Sequence, residues 1–144
     1  MPLIYVNSPA GTFTDEARDL LAEELTVIAL ESEKLPMEPF DKSTTWIYFN
    51  EIPPERVYHG GKAGGTKVIS LEINAFEGGH DTEAKRVLYR RFTETIRTRA
   101  GIAANVRVPV YIVLRPVNPE NWGVFGGTTS IENLRVAHPD DPPI

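Results

Sequence analysis

The strongest constraint on the fold is that the chain is written twice. Sliding the opening segment by 67 residues puts Asn7 on Asn74, Glu16 on Glu83, Ala17 on Ala84 and Arg18 on Lys85. An apolar stripe repeats with it. Ala17, Leu20, Leu21, Leu25 and Ala29 correspond to Ala84, Val87, Leu88, Phe92 and Ile96, at the i, i+3, i+4, i+8 spacing of an amphipathic helix. Thr14 and Asp81 stand ahead of the two stripes where N-caps belong, and acidic residues follow where the helix dipole favours negative charge. A second stretch also recurs, with Pro54-Glu55 matching Pro119-Glu120 and Gly60-Gly61 matching Gly126-Gly127.

Each half therefore predicts strand, helix, strand, a Pro-Glu turn and a double glycine. The strand candidates are 3–7, 45–49, 68–74 and 108–114, all rich in β-branched and aromatic residues. A helix lies between the two strands of each half, so each pair is parallel and its crossover right-handed. The expected fold is α+β: tandem βαβ units forming one four-stranded mixed sheet with two helices on one face. This is a single domain over 1–130, made of pseudo-repeats 2–61 and 68–127, with a tail over 131–144. The tail is proline-rich and acidic without apolar periodicity, so it is expected to wrap a neighbour or to be disordered.

Strand parity sorts the side chains between the two sheet faces. Ile4, Val6, Ile47, Phe49, Leu71, Ile73, Ile112 and Leu114 form the face the helices cover. Tyr5, Trp46, Tyr48, Glu72, Tyr111 and Arg115 belong to the other, too aromatic for plain solvent and too polar for a dry core. Cover by other subunits is the expectation.

Composition narrows the function. At 144 residues the chain suits one ordinary domain, and its formal charge of −5 repels a phosphate backbone, so nucleic acid is not an expected partner. The absence of cysteine removes disulfides, thiolate nucleophiles and sulfur-ligated metals together. No apolar run approaches a membrane span and no leader pattern opens the chain, so a cytoplasmic protein without a membrane partner is expected. His59, His80 and His138 share no metal-ligand spacing, and no GxSxG elbow occurs. The Gly60–Lys67 run GGKAGGTK has Thr66 where a phosphate loop needs lysine and precedes a strand, so it reads as a hinge between the halves. The basic residues of the second helix, among them Arg86, Arg90 and Arg97, alternate with Glu83 and Glu94 as a solvated face.

Pro2 is the residue with distinctive chemistry. Removal of Met1 would make it a free secondary amine. An α-amino group titrates near pH 8, and burial in an apolar pocket lowers that further, leaving a neutral base at pH 7. Its counterpart in the second half is Ile69, which can never be a terminus.

The N-terminal proline opening a βαβ unit and the segment Pro119-Glu-Asn-Trp-Gly-Val-Phe-Gly-Gly127 resemble the tautomerase superfamily. The doubled length resembles its fused branch, which includes cis-3-chloroacrylic acid dehalogenase, over about residues 2–127. The resemblance implies a homotrimer with Pro2 as general base or acid in a pocket shared between subunits, a small carboxylate substrate and no cofactor. It puts Trp122 where the family has an aromatic against the substrate, and Tyr111 at a position that is arginine in the short tautomerases and tyrosine in the cis-dehalogenase. The family's carboxylate-gripping arginines correspond here to Phe13, Glu77 and His80. The cis-dehalogenase's helix histidine falls on Ala29, and its water-activating glutamate near Asn121 or Trp122. Tyr111, His80 or Arg115 could stabilise an enolate oxygen, and Arg115 could grip a carboxylate or pair with Glu72. Tautomerisation of a small enolisable or unsaturated keto acid is the expected activity. Proline-dependent hydration, dehalogenation or decarboxylation is an alternative, and a non-catalytic trimeric binding protein is another.

Overall fold

The computed structural model describes residues 1–64 and 66–144. Strands β1 (Leu3–Pro9), β2 (Trp46–Ile52), β5 (Ile69–Phe76) and β6 (Val110–Val117) form one sheet in the order β2-β1-β5-β6. The pairs β1/β2 and β5/β6 are parallel, and β1 meets β5 antiparallel. Helices α1 (Asp15–Glu33) and α3 (Thr82–Arg99) cross within the two halves and pack on each other over one sheet face. The tandem βαβ expectation therefore holds. Leu3 pairs with Asn74 and Asn7 with Ser70, so a local two-fold axis passes between Tyr5 and Glu72. That axis relates the repeats.

The core forms where the two apolar stripes meet the inward strand residues. Leu21, Leu25, Leu88, Phe92 and Ile96 are buried against Ile4, Val6, Leu71 and Ile73. Thr14 and Asp81 cap their helices as expected, accepting from the backbone N–H of Ala17 at 3.1 Å and of Ala84 at 2.7 Å. All four strands run two or three residues further than their sequence patterns. β6 carries Pro116 within its length, which an edge strand tolerates because it pairs on one side only.

On the outer face Tyr5 stacks on Tyr48 with ring centroids 5.5 Å apart, and Arg115 pairs with Glu72. Trp46 and Tyr48 are about half exposed, and Tyr111 is 83% exposed. Nothing among the described residues covers this face.

Three elements differ from the expectations. A short helix α2 (Pro39–Ser43) precedes β2. The segment expected as a hinge contributes instead to a small hairpin of β3 (Tyr58–His59) and β4 (Lys62–Ala63), in which Gly60 and Gly61 take left-handed φ of 59° and 79°; Gly65 lies outside the described residues. The tail folds onto its own chain rather than reaching out. Helix α4 (Ile131–Leu134) buries Ile131 with Leu30, Leu35 and Phe76 in a second apolar cluster, and Arg135 Nε donates to the Glu33 carbonyl at 3.1 Å. The apolar signal for this contact is Ile131 and Leu134 alone, too short for a periodicity to register. No helix among the described residues is long and apolar enough to cross a membrane.

Two substitutions measure these contributions by urea unfolding. Asp81→Ala, which removes only a cap, should cost about 1 kcal/mol. Phe92→Ala, which opens the centre of the core, should cost about 3–5 kcal/mol.

Candidate active site at the amino terminus

Pro2 is buried at the start of β1, its carbonyl accepting from the Trp46 backbone N–H at 3.2 Å. It borders a cavity of about 220 Å³ walled by Leu3, Thr44, Trp46, Trp122 and Phe125. Trp122 ends the short helical turn Pro119–Asn121, which Asn118 caps by accepting from the Glu120 N–H at 3.0 Å. The indole stacks on Phe76 with centroids 4.7 Å apart, so it anchors the turn and walls the cavity together. Phe125 follows at φ 51° and is 65% exposed, within the Val124–Gly127 turn that also lines the cavity.

Met1 is a partition. It lines this cavity and also a second, of about 40 Å³, between Leu30, Phe40, Asp41, Leu134 and His138. Its buried amine lies 3.5 Å from Glu33 Oε2. Burial holds that amine below the ordinary value near 8, against the opposing pull of Glu33 and, more weakly, Asp41.

Glu33 occupies the last position of α1 because the helix ends there in a Schellman turn. Lys34 adopts φ 59° and donates to Glu31 O, Leu35 donates to Leu30 O at 2.9 Å, and Leu35 packs with Leu30. Its carboxylate is fully buried. His80, the residue before the α3 cap, turns its side chain inward at 3% exposure, with Nδ1 4.0 Å from Glu33 Oε1 and Nε2 2.8 Å from Ser32 Oγ. Burial lowers the His80 pKa, with Glu33 acting in the opposite sense.

The sequence-expected residues thus divide into two groups. Pro2 and Trp122 share a cavity, and His80 stands outside that lining, against Ser32 and Glu33. Arg115 stands in the same sheet row as Leu3, two strands away at about 10 Å, on the outer face. Tyr111 is in the row of Asn7, about 16 Å along the strand from Pro2. It borders instead a cavity of about 840 Å³ around Ile69, the repeat counterpart of Pro2, with Tyr58, His59 and Arg107. Glu33 was missed, although a signal existed: it continues the i+4 row of Ala17, Leu21, Leu25 and Ala29 with an acid. Asp41 gave none, being on a helix too short for periodicity. Among the described residues no group of three or more metal-ligating side chains comes together.

No protein-family profile and no curated protein matches the sequence. Solved structures match in three dimensions. The structure of a protein inactivated by 2-oxo-3-pentynoate aligns with a TM-score of 0.73 at 18% identity, covering 91% of this chain and 97% of that one. A fused 4-OT symmetric trimer aligns at 0.72 and 20%, covering 90% and 96%, and a member of the cis-3-chloroacrylic acid dehalogenase family at 0.72 and 17%, covering 88% and 82%. The chain has the fold of these tautomerase-superfamily structures.

The His80 environment has a measurable consequence. Its folded pKa is below the ordinary 6.5, so between the two values the unfolded chain binds more protons and stability rises with pH. Unfolding free energy should therefore fall as pH is lowered from about 6.5, and His80→Gln should flatten that segment of the profile.

Proposed function

We propose that the chain is a cofactor-independent tautomerase-like enzyme for a small enolisable or unsaturated keto acid, with Pro2, freed by loss of Met1, as its proton shuttle. The observation that carries this reading is the burial of Pro2 beside a cavity walled by Trp122, next to a Met1 amine whose pKa burial lowers. A secondary amine kept neutral at pH 7 removes the hydroxyl proton of an enol and, as the ammonium, delivers a proton to the carbon. The hydroxyl oxygen becomes the carbonyl, and the amine returns to its starting state. Trp122 lowers the dielectric around that exchange and offers a flat surface to an unsaturated substrate.

The cavity lining contains no cation, so a carboxylate needs a grip from elsewhere. The uncovered sheet face carries both Arg115 and Tyr111, which supports a homotrimer in which a neighbouring subunit brings that face to the Pro2 cavity. Arg115 would bind the substrate carboxylate and Tyr111 would donate to the enolate oxygen. The fold shared with a fused 4-OT trimer is consistent with that assembly.

Intact mass of the protein from its native source should lack one methionine, and the sample should ketonise phenylenolpyruvate. Pro2→Ala should lower kcat/KM at least about 100-fold. Retained methionine with no turnover would overturn the reading in favour of a binding protein of the same fold. Sedimentation should report a trimer, and Arg115→Ala should raise KM about tenfold while leaving kcat within about threefold, as loss of a uniform binding contact does.

A further inference from the structure

Glu33 is held where a carboxylate is least welcome. It is fully buried, and it ends a helix whose dipole is negative there, so desolvation and the dipole both oppose its charge. The neighbouring guanidinium does not relieve it, since Arg135 binds the Glu33 carbonyl and not the carboxylate. The fold is nevertheless shaped around this side chain. At Gly79 a Cβ would lie 2.9 Å from Glu33 Oε1, so the turn between β5 and α3 closes on the carboxylate only because that residue has no side chain.

Counting hydrogens at the His80 contact gives a second observation. Ser32 Oγ donates its single hydrogen to the Ala29 carbonyl at 2.7 Å, one turn back on α1. Towards His80 Nε2 the hydroxyl therefore has only lone pairs, and Nε2 must carry the hydrogen. A neutral ring then presents a bare lone pair at Nδ1, facing Glu33 Oε1 across 4.0 Å. Both atoms are buried and without a partner. Two acceptors face each other where one proton would satisfy both. The other groups acting here are the Met1 amine from the start of β1, Asp41 from α2, and Asp81 and Lys85 beside His80.

We propose that Glu33 and His80 are a positioning pair: the His80 ring, fixed with its hydrogen on Nε2, leaves Glu33 as the charge that sets the ionisation of the Pro2 terminal amine. This rests on the reading of Pro2 as a free terminus. Loss of Met1 withdraws the amine by one residue, about 3.8 Å, from its 3.5 Å contact with Glu33 Oε2 and opens the space between the two cavities that Met1 lines, so that Glu33 is the carboxylate beside the new terminus. The carboxylate then stabilises the ammonium formed when Pro2 takes the substrate proton.

The test uses protein confirmed by mass to begin at Pro2, labelled with nitrogen-15 in proline and histidine, so that the amine and the ring are titrated without substrate. In the wild type, His80 should be found with its hydrogen on Nε2, and a ring protonated on Nδ1 alone would overturn the pair. In Glu33→Gln the Pro2 amine should titrate at least about one pH unit lower, because the opposing charge is gone. An amine unmoved in that variant would overturn the proposal. Ser32→Ala keeps the carboxylate and removes only the ring's anchor, so it should disturb the His80 tautomer while moving the amine less than Glu33→Gln. Should Glu33→Gln fail to fold, the more conservative Glu33→Asp, which draws the charge back by one methylene, should also lower the titration of the amine, and an amine unmoved there would overturn the proposal. If wild-type protein with a free Pro2 fails to ketonise phenylenolpyruvate, the catalytic reading falls while these titrations still test the pair. Where turnover is present, the pH profile of kcat/KM for Glu33→Gln should move with the amine.

Discussion

The antiparallel pairing of β1 with β5 is the contact on which the remainder depends. Each βαβ unit alone has a two-stranded parallel ladder and one helix, too little to bury the apolar stripe of that helix. The Leu3 to Asn7 pairing with Asn74 to Ser70 joins the ladders into one sheet and sets α1 beside α3, so each helix stripe finds both the sheet and the other helix. The same pairing decides that the two repeat positions, Pro2 and Ile69, lie at opposite ends of the sheet centre. Their cavities are separate as a result, and only one contains a terminus.

Divergence between the repeats concentrates where that symmetry ends. Trp122 stacks on Phe76 at one turn, while Val57 takes the corresponding place at the other and borders the cavity around Ile69. The α1 and α3 ends differ likewise. α1 closes through Lys34 in a left-handed conformation and leaves a buried acid at its last position, whereas α3 ends with Arg97 and Arg99 near the surface, Arg97 donating to the carbonyls of Ala103 and Val106. A basic helix end complements the dipole, and an acidic buried one opposes it. Departures from local preference of this kind gather at sites that serve something other than stability.

Much of the fold was legible because its signals are periodic and doubled. The stripes ending at Ala29 and Ile96, the caps Thr14 and Asp81, and the alternating strands all recur in both halves, so each supports the other. Pro2 and Trp122, singled out by the position of one and the turn surrounding the other, line one cavity. The inward turn of His80 was not legible, because it depends on Ser32 and Glu33 from a helix 48 and 47 residues earlier. The docking of the tail also escaped, because Ile131, Leu134 and one guanidinium leave no pattern in a proline-rich segment. In both cases the information lies in a contact between segments distant in sequence.

Met1 wedges between two hollows with its amine turned inward to Glu33. An exopeptidase must grip that amine, and in the folded chain it is out of reach. Any trimming therefore belongs to the nascent polypeptide, before β1 is locked between its neighbours. Under the proposed function the methionine is a one-residue propeptide, and the share of molecules with an open pocket is decided kinetically, by whether cleavage or folding comes first.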